Sequence, residues 1–114
     1  MELEALRSYC LSLPAVTEDI KWGNDLVFSI GQKMFCVIGF EPPFTYSFKA
    51  NNELFEELSL KEGFKPAPYL ARAKWILVTK PGLLNKTESQ KLIRESYELV
   101  KAGLTKKLRA ALGI

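Results

Sequence analysis

Leu26-Val27-Phe28-Ser29-Ile30, Gly31-Gln32, Met34-Phe35-Cys36-Val37-Ile38-Gly39-Phe40, Glu41-Pro42-Pro43, Thr45-Tyr46-Ser47-Phe48-Lys49: between Asp25 and Lys49 the chain spells out three strands and two reversals. Leu26, Phe28 and Ile30 share one side of the first strand, with Val27 and Ser29 on the other. Gly31-Gln32 reverses the chain, and a glycine at the first centre of a two-residue loop predicts a type II′ turn. The Met34–Phe40 run is apolar on both sides, as in a strand covered on both faces. Glu41-Pro42-Pro43 ends it, because proline cannot donate to a ladder. Strict alternation returns at Thr45–Lys49. The connections are short, so the stretch predicts an antiparallel meander.

Working outward, Glu2–Leu13 predicts a helix, with Leu3, Leu6, Cys10 and Leu13 on one face. Pro14 stops it. Ala15–Asn24 is a connector with room for a short strand at Thr17–Lys21. Trp22-Gly23-Asn24-Asp25 is a turn that sets an aromatic ring at the edge of the meander. Asn51 or Asn52 caps a second helix, Glu53–Leu60, and Gly63 suits the left-handed residue that ends it. Phe64–Pro68 is an extended link. Tyr69–Ala73 is a single helical turn, and Trp75–Thr79 is a strand dense in β-formers. From Leu83 to the end the chain is helical. Asn85 and Glu88 form a capping box, and Gly103 bends or breaks the helix. The expected class is α+β: one domain, 1–114, with an antiparallel sheet of about five strands and the N- and C-terminal helices packed on one face.

Composition narrows the chemistry. The chain has 114 residues, a net charge of +3 and no histidine. The missing histidine removes Ser-His-Asp and Cys-His sites and His-ligated zinc. Two cysteines, Cys10 and Cys36, cannot make a four-thiolate centre and read as free buried thiols. Aspartate occurs only at Asp19 and Asp25, which argues against an acidic metal cage. No catalytic residue, metal or cofactor is expected, and the chain reads as a non-enzyme. No apolar run approaches the ~18 residues of a membrane helix, and the N-terminus lacks the plan of a signal peptide. A cytoplasmic protein with no membrane partner is the expectation.

Three residue sets remain as candidates. Lys33, Lys49, Arg72 and Lys74, with Lys65, stand near strand ends and could straddle a phosphate backbone, giving affinity with little base reading. The alternative is a solvated surface, since Glu41, Glu53, Glu56, Glu57 and Glu62 lie close in sequence. Trp22, Tyr46, Phe48, Tyr69 and Trp75 could form an aromatic face that stacks bases or lines a pocket for a small ligand or protein partner. The alternative is that these rings are core, and Trp75 in particular begins an apolar strand. Lys101–Arg109 is basic and amphipathic, although cations at a helix C-terminus also complement its dipole.

Leu13-Pro14, Trp22-Gly23, Gly31-Gln32-Lys33-Met34-Phe35, Ser47-Phe48-Lys49, Pro66-Ala67-Pro68-Tyr69 before Trp75, and Ser96-Tyr97-Glu98-Leu99-Val100 occur in an order that resembles the MmcQ/YjbR family. The resemblance spans nearly the whole chain. It implies a CyaY-like, frataxin-like α+β fold and a DNA-binding role through a double-wing motif. That family often has histidine before the tryptophan, whereas this chain has Lys74. The acidic ridge of frataxins is thin here: Glu2 and Glu4 on the first helix, Glu18 and Asp19 beyond it. Iron binding is therefore not expected. The expected partner is DNA, contacted through phosphates by a non-catalytic module; a protein or small ligand on the aromatic face is the alternative.

Overall fold

The structure is a computed structural model that describes residues 2–114. Strands β1 (Thr17–Lys21), β2 (Asp25–Ile30), β3 (Lys33–Gly39), β4 (Thr45–Lys49), β5 (Phe64–Pro66) and β6 (Trp75–Val78) form one antiparallel sheet in the order β1-β2-β3-β4-β6-β5. Helices α1 (Leu3–Ser12), α2 (Asn52–Ser59), α3 (Lys86–Ala102) and α4 (Lys106–Leu112) complete the α+β fold. The meander is central, and the sheet has six strands rather than about five. The added strand is β5, which the sequence presents as a link because Pro66 and Pro68 interrupt a stretch with one large apolar residue, Phe64. It pairs with β6 from Phe64↔Val78 to Pro66↔Ile76. Pro66 is tolerated because β5 is an edge strand with no further neighbour to receive a donor.

The β2–β3 turn is of type I′, not II′: Gly31 and Gln32 both have positive φ, +54° and +68°. Gly31 also leaves room for α4. A β-carbon there would meet the Leu108 and Leu104 side chains at 3.0 and 3.1 Å. The caps form as the sequence predicts. Asn51 accepts from Leu54 N at 2.7 Å, and Asn85 with Glu88 makes a reciprocal box. Gly103 separates α3 from α4, and Thr105 caps the new helix. Tyr69–Ala73 is not one helical turn. Only Ala71–Ala73 winds, as a 3₁₀ turn, while Tyr69 has φ +66°.

Alternation gives the sheet two unlike faces. One carries the rows Phe28–Cys36–Phe48–Ile76 and Leu26–Ile38–Tyr46–Val78. These rows pack with Leu6 and Cys10 of α1 and with Ile93, Tyr97 and Val100 of α3 into the main core. Cys10 and Cys36 are free and buried within it. Phe35 breaks the register between Phe28↔Cys36 and Ser29↔Met34, and joins the same core. The bulge opens a gap in the β3–β4 ladder, and Ser96 of α3 fills it. Its hydroxyl donates to Phe35 O at 2.6 Å and accepts from Lys49 N at 2.9 Å. Tyr97 donates from its hydroxyl to Pro14 O at 2.6 Å and meets Phe35 edge to face, so α3 also pins the end of α1.

Candidate functional site

Among the described residues no α-helix lies over the other face of the sheet. Its central row is Val27–Val37–Ser47–Leu77, reached by the same registers. Val27, Val37, Ala67 and Trp75 make a small second core there, with Met34, Leu70 and Leu77 around it. Among the described residues its cover comes from the segment that follows β5. Ala67 N donates to Trp75 O, Leu70 N to Ala67 O and Trp75 N to Leu70 O. These bonds fold residues 67–75 into a tight loop that projects Tyr69 outward. From the opposite side the β1–β2 turn projects Trp22. Between the two loops lies a cleft of about 500 Å³, within the size range of small-molecule sites.

The cleft floor is apolar: Met34, Val37, Leu70 and Leu77. Trp22 and Tyr69 line the mouth and are 67% and 104% exposed. Both sit in left-handed backbone, with φ of +53° and +66°, which is uncommon for bulky residues. Two polar side chains face the cavity, Asp25 and Ser47. Among the described residues neither side chain has a hydrogen-bond or ion-pair partner. Burial pushes the Asp25 carboxyl above its ordinary value of 3.8.

The aromatic set therefore divides. Trp22 and Tyr69 both line the cleft, and Trp75 lies on the same face but is buried beneath the 67–75 loop, at 4% exposure. Tyr46 and Phe48 point to the helix side, because Ser47 between them takes the open face. Tyr46 donates from its hydroxyl to Ser89 Oγ at 3.2 Å, and burial pushes its pKa up to about 12. It is a core residue and not part of an aromatic binding face. The sequence set also lacked Asp25 and Ser47. Alternation placed both opposite the Phe28 and Phe48 side, which was the available signal.

The cations are spread out. Lys33 and Lys49 line one depression at the sheet end, with Met34, Trp75 and the C-terminal part of α3. Lys49 Nζ already donates to Ala73 O at 2.9 Å. Lys74, itself left-handed at φ +64°, turns its ammonium over the Phe55 ring of α2 at 5.0 Å. Arg72 and Lys65 are exposed, on the 3₁₀ turn and on edge strand β5. Lys107 and Lys106 of α4 face solvent. A further depression, about 540 Å³, runs between α2 and α3 beside Glu53, Glu57, Glu95 and Glu98. There Arg94 already pairs with Glu98 at 3.1 Å on an exposed surface. Among the described residues no group of three His, Cys, Asp or Glu side chains gathers in a metal-holding arrangement, and no helix is long and apolar enough to cross a membrane.

The family model described as YjbR matches residues 11–99. A crystal structure of the Deinococcus radiodurans protein DR2400, described as a DUF419 domain, is similar with a TM-score of 0.87 and 31% identity, over 98% of this chain and 88% of that one. A protein from Pseudomonas syringae shares the fold, with a TM-score of 0.72 at 23% identity, over 87% of this chain and 98% of that one. No curated protein matches. The matched region of the family model includes both loops of the cleft and the meander beneath it.

Proposed function

The chain belongs to the YjbR family, and from that premise we propose that it is a non-catalytic binding module whose ligand sits in the open-face cleft. One observation carries the reading. Two bulky aromatic residues, on separate loops and both in left-handed backbone, stand exposed over one apolar floor. That backbone costs roughly 1 kcal/mol or more per residue, and exposed rings return little of it through burial. Strain of this kind clusters where a protein meets a ligand. A cytoplasmic location belongs to the same proposal and fits the two free thiols. The test is a small-molecule screen read by thermal shift, repeated on the Trp22→Ala/Tyr69→Ala variant. Ligands that raise Tm in the natural chain and not in the variant support the cleft. Ligands indifferent to the variant would put the binding surface elsewhere.

A second reading is DNA binding through phosphates, the role the family resemblance implies. Lys33 and Lys49 favour it by lining a common depression. It ranks second because Lys49 and Lys74 already have partners within the fold and the remaining cations do not converge. On this reading affinity for duplex or single-stranded DNA falls steeply between about 50 and 200 mM salt. Lys33→Ala with Lys49→Ala then lowers affinity and flattens the salt slope by about 2. DNA binding that ignores both salt and these substitutions would remove the phosphate-contact reading.

A further inference from the structure

We infer that the ligand of the open-face cleft is an organic cation, an alkylated ammonium or a guanidinium, held by the Asp25 carboxylate and the rings of Trp22 and Tyr69. This rests on the cleft being the binding site and names the chemistry it selects.

Charge is the first argument. The chain carries a net charge of +3, yet no lysine or arginine lines this cavity, and its one carboxylate is Asp25. An anionic ligand would meet a carboxylate with no cation to offset it. The carboxylate is also unspent. Its cross-strand neighbour Lys21 makes no ion pair with it within the described residues. On its other side lies the depression it shares with Gly39, Thr45 and Glu41, where the only further ionisable group is also acidic. Gly39, its cross-strand partner on β3, has no side chain to cover it; a β-carbon there would sit 3.4 Å from Asp25 Oδ1. An unpaired carboxylate at an apolar wall is unfavourable in the empty protein. Burial accordingly raises its pKa. A ligand cation would reverse that penalty.

The rings supply the second argument. Indole and phenol faces attract ammonium and guanidinium groups through their quadrupole, tryptophan most strongly. Trp22 and Tyr69 approach from different loops, so a cation between them and Asp25 is met from several sides. The apolar floor of Met34, Val37 and Leu77 suits the alkyl part of such a ligand. A free small molecule and a methylated side chain of a peptide present the same group, and the cleft chemistry is common to both.

Three probes of one shape separate charge from fit: choline, its neutral counterpart 3,3-dimethylbutan-1-ol, and the anion 3,3-dimethylbutanoate. Each is titrated into the full chain and followed by amide and indole NMR shifts around Trp22, Asp25 and Tyr69. The expected order is cation, neutral, anion, with choline at least about tenfold tighter than the alcohol, the gain of a desolvated cation–aromatic contact plus one charge pair. Asp25→Asn should narrow the gap between choline and the alcohol, the aromatic contribution remaining, and leave the alcohol unchanged. A trimethyl-lysine peptide that binds tighter than choline assigns the source to a protein partner; weaker binding assigns it to a small molecule. Equal binding of the three probes, or preference for the anion, overturns the cationic ligand while leaving the cleft as a site. Shifts absent from these residues with every probe overturn both.

Discussion

The two faces of one sheet are built to different standards. On the helix side, Tyr46, Phe48, Phe28, Ile38 and Ile76 are all essentially inaccessible. There, the irregularity at Phe35 is closed by the Ser96 hydroxyl. On the open side only Val27, Val37, Ala67 and Trp75 are buried apolar residues. There the bulky rings of Trp22 and Tyr69 stay exposed, and among the described residues the side chains of Asp25 and Ser47 have no hydrogen-bond or ion-pair partner. The first face spends its residues on stability. The second keeps strain, exposed aromatic surface and an unpaired carboxylate, features that cluster where a protein meets a ligand.

This contrast can be broken by measurement. The largest effect is expected from Phe48→Ala, which empties a fully buried site and should cost about 3–5 kcal/mol in urea unfolding. A loss under about 1 kcal/mol would mean the helix side is not the main core. Trp75→Ala is expected near the low end of that range, about 3 kcal/mol, because its cover is one short loop that can collapse into the space. If Trp75→Ala proved as damaging as Phe48→Ala, the open face would carry as much of the fold as the covered one.

Ser96→Ala should cost about 2 kcal/mol, since it strands a buried carbonyl and a backbone donor without a partner. Hydrogen exchange at the Lys49 amide should speed up with it; unchanged exchange there would mean the hydroxyl does not bridge the ladder. Trp22→Gly is expected to stabilise the protein by about 1 kcal/mol, the left-handed strain released, while weakening any ligand of the cleft. A destabilised variant would make Trp22 a structural residue and blur the division between the faces.

The smallest effect is pH-dependent. Burial raises the Asp25 pKa in the folded chain above its ordinary 3.8. The carboxyl's contribution is therefore fully favourable below 3.8 and is lost as pH rises through the folded-state pKa. Asp25→Asn removes that loss, so the variant should melt higher than the natural chain near neutral pH, with the gap closing as pH falls through the raised folded-state pKa to 3.8. Glu18 has the opposite sign. Its hydrogen bonds from Arg7, at 2.6 and 2.9 Å, lower its pKa below 4.5, so that link between α1 and β1 weakens on acidification. An Asp25→Asn variant that melted lower at pH 7 would show that the carboxylate has a structural partner.

Much of the fold was legible. Alternation around Gly31 and Pro42-Pro43 marks the meander, Asn51 and Asn85 mark helix starts, and Gly103 marks a break, because each acts through its own few neighbours. Trp75 was legible as a buried ring from the apolar strand it opens. Strand β5 was hidden, since three residues beside prolines carry too little pattern and form only by pairing with β6. The Phe35 bulge and its Ser96 patch join positions 61 residues apart, beyond any local signal. Two of the five aromatic candidates, Tyr46 and Phe48, were visible as residues and misplaced as a surface, since both are drawn inward.

The sequence by itself determined an α+β domain, its meander, its caps and a chemistry without histidine. It could not say which face of the sheet the helices cover. The Met34–Phe40 run is apolar on both sides, so periodicity separates two faces without ranking them. Only the tertiary structure decided that, by bringing α1 and α3 over Phe48 and leaving Ser47, Asp25 and the two loop aromatics to frame a cleft. The reason is that a face is chosen by where distant helices can close against it, whereas a strand is chosen by its own alternation.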